Sequence, residues 1–555
     1  MRAHMTCMDR LRILTVMFSL LLALLAVEAG AAELKDVEAA TVFIQSQYRP
    51  VHVQNPTPEQ LVTSSGTGLI VADEGLILTN AHVVKTVQLT DTRNGGPATD
   101  QTPFVHRRTL VLHKVRVRVD SGTEHSRVLP ASVLATVYPD FLTDLALLRV
   151  YPRDRLPAVT LADAASARQL KRGERVRSLG FPQAVNFGNP NGPELVLHSG
   201  DIASIHKDDQ NRVVSINHDA KIDQGNSGGP LIDARGRVVG VNTFGIGKQN
   251  FSIPMSTVWR VFGDTLKHRV PPADSRRVLT VGPDARATAK TVEEAMEMAE
   301  PGDTILLGEG RHELDGGAWV KRGVWLRGAS RDRTTLVLGQ GPLVFESQDP
   351  IRAAVLKIGR AGYSEVSDLT MTLKHRGVRG AKWPYVECLG SRETFLHDVT
   401  IERNGDDKAW LLAVRSDNAP NIVNCRLESP TWPGRALFVL APHLKGQLRA
   451  APGQGPKFHR VQLSGAKVTR RAAFHGCVIR PLTDKVAGDT SWMLLFFDAS
   501  GAKGLEMVGC LRPPGSAKEA HNGMAFSHGR LEANTFCFEK FWAIWLRGWP
   551  EAEID

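Results

Sequence analysis

The sequence predicts an all-β chain with two unlike halves: a barrel or sandwich of short strands, then a solenoid of stacked strands. Three observations carry this. Short apolar runs bounded by turn residues fill the first half, at Leu69 to Val71, Leu76 to Leu78, Leu145 to Leu148 and Val238 to Val241. A strand-like pattern then recurs with its turn residue at 368, 398, 424, 476, 509 and 534. Between the halves, Val270-Pro271-Pro272-Ala273-Asp274 reads as a linker. The chain has 555 residues, room for about two to four domains.

The N-terminal 1–32 reads as an export signal. Arg10 and Arg12 precede an apolar run from Ile13 to Val27, and Ala29-Gly30-Ala31-Ala32 follows. The run falls short of the roughly 20 residues of a membrane span, and its small-residue exit suits cleavage. The expected location is periplasmic or extracellular, with no membrane span after cleavage.

In the first half, Gly225-Asn226-Ser227-Gly228-Gly229-Pro230 is the segment with chemical content. A serine hydroxyl becomes a nucleophile only with a base beside it and donors for the oxyanion. A glycine two residues ahead lets the chain turn so that the amides of Gly225 and Ser227 face one point. The base and its orienting acid are available upstream, in Asn80-Ala81-His82-Val83-Val84 and Thr143-Asp144-Leu145-Ala146-Leu147-Leu148. Taken singly, His82 reads as a core histidine and Asp144 as a turn residue. Together with Ser227 they fall in the order His, Asp, Ser.

These segments, with Ser65-Gly66-Thr67-Gly68 and His218-Asp219-Ala220-Lys221-Ile222-Asp223-Gln224-Gly225, resemble the trypsin-fold serine proteases, most closely their HtrA/Deg branch. The resemblance covers roughly residues 40 to 265. It implies a chymotrypsin-like double β-barrel over 33–268, with the site between the barrels. By it, Ser227 is the nucleophile, His82 the general base and then acid, Asp144 the group orienting His82, and the amides of Gly225 and Ser227 the oxyanion hole. Ile222 would line a shallow apolar S1 pocket, and Thr243, Phe244 and Gly245 would pair with an extended substrate backbone. Lys221 would favour acidic P1 residues if it points inward. Neither a metal nor an organic cofactor is implied.

Two departures stand out. The PDZ domain usual in that branch has no counterpart pattern here. Residues 86 to 113 also read as an insertion between the histidine segment and a strand at Val115 to Val119; with Asn94-Gly95-Gly96-Pro97 they suggest a surface loop. Asn226 carries a further inference. Being neutral, it cannot pair with a freed N-terminal ammonium, so ordering of the loops by substrate is the expected control.

The second half, 278–555 after a 269–277 linker, starts with Thr291-Val292-Glu293-Glu294, a capping box for a helix through Glu300. Val292, Ala295, Met296 and Ala299 form its apolar face, suited to covering the open end of a solenoid. Pro301-Gly302 ends the helix, and a strand runs from Asp303 to Leu307. The later turn positions are separated by 30, 26, 52, 33 and 25 residues, and the long step reads as two coils of 26. Strands of two-residue alternation stacked at this period give a parallel β-helix. Lys290 to Glu313 and Val324-Trp325-Leu326-Arg327-Gly328 resemble the pectin-lyase-like right-handed β-helix proteins. Cys425, Cys477 and Cys510 fall at equivalent inward positions and read as small core residues. Asp406-Asp407 reads as a turn, since a calcium site needs more oxygen ligands. Trp383 and Trp432 read as packing or loop residues, with sugar stacking the alternative. A binding or targeting role is the default for this half.

The formal charge of +10 is small for the length, and no basic-aromatic module points to nucleic acid. The expected partners are protein or peptide substrates, with a polysaccharide or cell-surface ligand as the class for the β-helix. Two other readings remain: a protease-derived binding scaffold, and a carbohydrate-binding or carbohydrate-active β-helix with an accessory protease.

Overall fold

The computed structural model describes residues 34–546 apart from 54, 92–106, 139–141, 166–168, 183–188, 248, 271–275, 316, 340–354, 360–361, 374–383, 404–408, 416–418, 430–435, 441–454, 465, 469–471, 480–493, 500–504, 513–521, 527–528, 533 and 537–543. The export-signal segment, Asp406, Asp407, Trp383, Trp432 and Cys537 lie outside the described residues.

The first half is two six-stranded barrels. The first comprises β1 (Thr41–Pro50), β2 (Val62–Ala72), β3 (Leu76–Thr79), β5 (Arg107–Val119), β6 (Arg127–Val137) and β7 (Leu145–Val150), with β4 (Val87–Asp91) added beside β5. Pairing of β1 with β5 closes it. The second is β8 (Arg175–Gly180), β9 (Val196–Lys207), β10 (Val213–His218), β11 (Pro230–Asp233), β12 (Val238–Ile246) and β13 (Gln249–Pro254). Every apolar run expected to form a strand does so. β3 and β7 are buried along their whole lengths because each is covered on both faces. Helix α1 (Met255–Arg269) then packs against the second barrel.

The supposed insertion is corrected by this topology. Its ends are strand: β4 pairs antiparallel with the first residues of β5, from Val87 opposite Val111 to Asp91 opposite Arg107. β5 thus begins at Arg107, well before Val115.

The second half is a parallel β-helix whose described residues form three sheets with ten, nine and nine strands, in which successive strands of a sheet come from successive coils. One inward column runs in register through Leu279, Ile305, Leu326, Val366, Leu396, Ile422, Phe458, Phe474, Met507 and Leu531. Asp368, Asp398, Asn424, Gly476 and Gly509 all have positive φ, the conformation their residue types tolerate best. Arg460 does too, at φ 55, and it divides the long step. That step therefore holds coils of unequal length, not two of 26: the strands Lys457–His459 and Ala472–His475 are adjacent in the sheet. Cys388, Cys425, Cys477 and Cys510 are buried free thiols. Burial pushes Cys388 and Cys425 up to about 12, which suits packing and not ligation.

Helix α2 (Val292–Met298) caps the solenoid as expected, with Val292, Ala295 and Met296 buried against the first strand of each sheet. Thr291 accepts from the Glu294 amide at 3.1 Å. Glu294 reaches back to the Lys290 amide at 2.6 Å, one residue earlier than a capping box requires. The helix also stops at Met298, not Glu300, because Ala299 turns to an extended conformation ahead of Pro301.

The two halves are fastened together. The first sheet of the β-helix lays its outward side chains on the first barrel, and Tyr363 and Phe395 extend the barrel core. Arg149 of β7 makes a two-pronged bond to Glu365, Nε to Oε1 at 3.0 Å and Nη2 to Oε2 at 2.7 Å, with both side chains fully buried. His397 bonds to Glu365 at 3.0 Å and to Asp398 at 2.9 Å, and Asp398 accepts from Ser132 of β6. Arg269, the last residue of α1, is buried against Tyr363 and Thr304 at 2.8 and 3.0 Å. The β4–β5 hairpin is part of this seam: Thr86 meets His459 at 3.2 Å, and Arg460 donates to the His113 carbonyl at 3.0 Å.

Candidate active site

His82 lies in the short 3-10 turn Ala81–Val84 that leaves β3, and Asp144 stands one residue before β7. β3 and β7 are paired, Thr79 opposite Ala146, so the first barrel holds the two side by side. Asp144 is 1% exposed. Its Oδ1 accepts the His82 backbone N–H at 2.9 Å, and its Oδ2 contacts His82 Nδ1. The Thr243 hydroxyl donates to Oδ2 at 3.3 Å, and Asn80 holds the Asp144 carbonyl at 2.7 Å. The carboxylate therefore fixes both the backbone and the ring of His82, leaving Nε2 without a partner among the described residues. The His82 side chain is part-exposed, at 39%.

Ser227 comes from the second barrel, in the turn before β11. Gly225 and Gly228 have φ of +106 and +89. At Gly228 a Cβ would lie 2.2 Å from the Thr67 carbonyl, so a glycine is required there. The amides of Asn226, Gly228 and Gly229 donate to Asp223, Asn242 and Asn226. The Ser227 hydroxyl donates to the Thr243 carbonyl at 2.8 Å.

Two residues given no role from sequence hold this turn. Thr67 joins the barrels: its hydroxyl donates to the Gly225 carbonyl at 2.7 Å, and its amide donates to the Ser227 carbonyl at 2.9 Å. Asn242 exchanges backbone bonds with Gly228 and Gly229, each at 2.8 Å, and its side chain donates to the Pro230 carbonyl at 3.1 Å. Ser252 anchors Asn242 at 3.0 Å and His218 meets Ser252 at 2.9 Å. Burial lowers His218 to about 4, which keeps it neutral. Thr67 lies within a segment that carried the resemblance, and its hydroxyl among glycines was the available signal. Asn242 had none.

The other expected site residues are close by. β11 pairs with β12 only as far as Val241, so among the described residues Phe244 to Ile246 are paired on one side alone, with β13, and Thr243 sits at the register shift between Asn242 and Phe244. Phe244 stacks on Phe251 at 4.8 Å. Ile222 is half-buried, and Gly245 faces it. The conditional reading of Lys221 fails: its side chain is 63% exposed and paired with Asp223 at 2.7 Å, so it points away from the pocket. Asn226 is fully buried, and its carboxamide has no hydrogen-bond partner among the described residues. No group of three candidate metal ligands occurs among the described residues.

Residues 66–241 match the family model of the trypsin-like peptidase domain. Over this half the chain is similar to HtrA serine proteases. It is 34% identical over 198 residues to bovine (Bos taurus) mitochondrial serine protease HTRA2, covering 34% of each chain. It is 30% identical over 219 residues to mouse (Mus musculus) serine protease HTRA4, covering 38% of this chain and 36% of the relative. The chain thus spans about a third of the length of these relatives. The solved structure of Deg5 matches at 23% identity and a TM-score of 0.29, covering 42% of this chain and 91% of that one.

Proposed function

We propose that the protein is an exported serine endopeptidase acting through Ser227, His82 and Asp144. The observation that carries this is the Asp144 carboxylate, buried and bonded to both the backbone and the Nδ1 of His82. That arrangement holds the tautomer in which Nε2 is a base. Ser227 Oγ attacks the substrate carbonyl carbon as His82 Nε2 takes its proton. The Gly225 and Ser227 amides stabilise the oxyanion. His82 returns the proton to the leaving amine, and water then hydrolyses the acyl-enzyme by the same route in reverse. The one-sided pairing of Phe244 to Ile246 supports binding of an extended protein segment as an added strand. A substrate N–H that takes the Thr243 carbonyl would release the Ser227 hydroxyl towards His82, a form of control by substrate that needs no freed N-terminus.

In this reading 1–32 is the export signal, 33–268 the peptidase, 269–277 the linker and 278–555 a β-helix for binding or targeting. No helix among the described residues is long and apolar enough to cross a membrane. The deciding experiment is fluorophosphonate labelling and peptide hydrolysis by the wild type and Ser227→Ala. Both should vanish in the variant; hydrolysis that persists refutes the assignment. Retention of the full-length Ser227→Ala chain on immobilised acidic and neutral polysaccharides tests the ligand class for the β-helix, and failure to bind any removes it.

A further inference from the structure

The S1 pocket of the proposed peptidase lies between the segment carrying Ile222 and the segment carrying Gly245. One side chain spans that gap. Asn250 of β13 is directly opposite Gly245 on β12, and paired residues on adjacent strands project to the same face. Glycine leaves that face empty, and the Asn250 carboxamide fills it. Asn250 Oδ1 accepts the Ile222 amide at 3.3 Å. The same oxygen stands 3.0 Å from where a Cβ on Gly245 would be. The amide therefore ties one wall of the pocket to the other and forms its floor.

The oxygen's commitment fixes the orientation of the group. Nδ2, with two protons, is left without an acceptor among the described residues, although Asn250 is only 7% exposed. A donor that faces water rewards an acceptor brought to it and penalises an apolar group that displaces that water. With Lys221 turned outward, no charged side chain reaches this floor from the Ile222 segment.

We infer that Asn250 sets the P1 preference of this site, excluding long side chains and selecting short uncharged ones that carry a hydrogen-bond acceptor, namely Thr, Ser and Asn. This rests on the peptidase reading. Depth and chemistry act together: Val and Leu match Thr and Asn in shape but leave Nδ2 unpaired, whereas Phe, Lys and Arg meet the carboxamide before they are fully inserted.

The test uses the full chain and fluorogenic tetrapeptides that differ only at P1. For the wild type, kcat/KM should favour Thr over Val and Asn over Leu by about tenfold, the scale of one hydrogen bond made or left unmade. Asn250→Ala removes both floor and donor, so the two ratios should fall to about one and Leu and Phe should gain. Asn250→Asp preserves shape and the acceptor for the Ile222 amide but replaces the NH2 with a carboxylate oxygen. Thr and Asn can turn a donor to that carboxylate and keep their preference, but P1 O-methylserine, an acceptor without a donor, should lose its wild-type advantage of about tenfold over norvaline, and this tests the inference even if the alanine variant folds poorly. Equal wild-type rates for Thr and Val, or an O-methylserine advantage over norvaline unchanged in Asn250→Asp, overturn the inference. Fluorophosphonate labelling of the wild type is read in parallel. Labelling together with an unexpected P1 profile sinks only this inference, whereas absence of labelling sinks the peptidase reading and this with it.

Discussion

Replacement of Glu365 by alanine is the sharpest test of how the two halves are joined. In the folded chain this carboxylate accepts from Arg149 Nε and Nη2, from the Tyr363 hydroxyl at 2.7 Å and from His397 Nε2. Burial acts to raise its pKa, but the Arg149 charge and the His397 bond outweigh it and hold the group well below the usual carboxylate range. Removing one partner of a buried pair costs about 3–5 kcal/mol, mostly for the charge left behind. Arg149 would retain Glu74 at 3.5 Å and the Trp325 ring at 4.3 Å, and His397 would retain Asp398. These residual partners place the expected loss near the middle of that range, about 4 kcal/mol. Equilibrium urea unfolding followed by circular dichroism measures it. The double variant Glu365→Leu/Arg149→Met should lose less than Glu365→Ala, because no unpaired buried cation remains. A loss under about 1 kcal/mol, or a double variant as costly as the singles summed, refutes the picture of a desolvated, mutually dependent pair.

Four further outcomes are expected. Asp144→Asn should lower kcat by about 10⁴ with the fold intact, since it removes the carboxylate that sets the His82 tautomer; steady-state kinetics against the wild type checks this. Stability should peak near pH 6.5. His397 is lowered by burial but raised more by its bonds to Asp398 and Glu365, to about 9, so its contribution is complete below 6.5 and fades as pH rises to 9. His113 and His218 are lowered by burial to about 4, so their contribution is present above 6.5 and fades as pH falls to 4. Thermal midpoints across this range read both slopes, and His397→Gln should flatten the alkaline one. Gly476→Ala should destabilise the seam: φ is +59 and the new Cβ would lie 2.8 Å from Val111 Cγ1; faster limited proteolysis between the halves is the readout. Thr291→Ala should cost about 1 kcal/mol by removing the α2 cap, seen as a lower unfolding midpoint.

The strands of both halves were legible because each rests on a local pattern. Leu76 to Leu78 and Leu145 to Leu148 are apolar throughout and bounded by turn residues, so burial on both faces dictates strand. The β-helix coils were legible from their turn residues, since Asp, Asn and Gly relieve the cost of positive φ. Arg460 breaks that rule, so the long step reads as two equal coils although the turn between them lies off centre. The end of α2 was placed late because Pro301 acts on the residues before it as well as on itself.

The sequence by itself determined the class of fold, the order His82, Asp144, Ser227, and the inward cysteines of the solenoid. Each is a matter of residue type and spacing, which survive without knowledge of what packs against what. Only the tertiary structure decided that Lys221 turns outward, that Asn250 ties the Ile222 amide to the strand beside Gly245, and that Thr67 and Asn242 hold the Ser227 turn. It also showed that the β4–β5 strands and the Arg149–Glu365 pair bind the barrel to the β-helix. Most of these depend on partners distant in the chain, as in the Thr67–Gly225 and Arg149–Glu365 bonds, which span 158 and 216 residues. A side chain's direction is set by the volume and charge that fold up against it, and no local pattern encodes that.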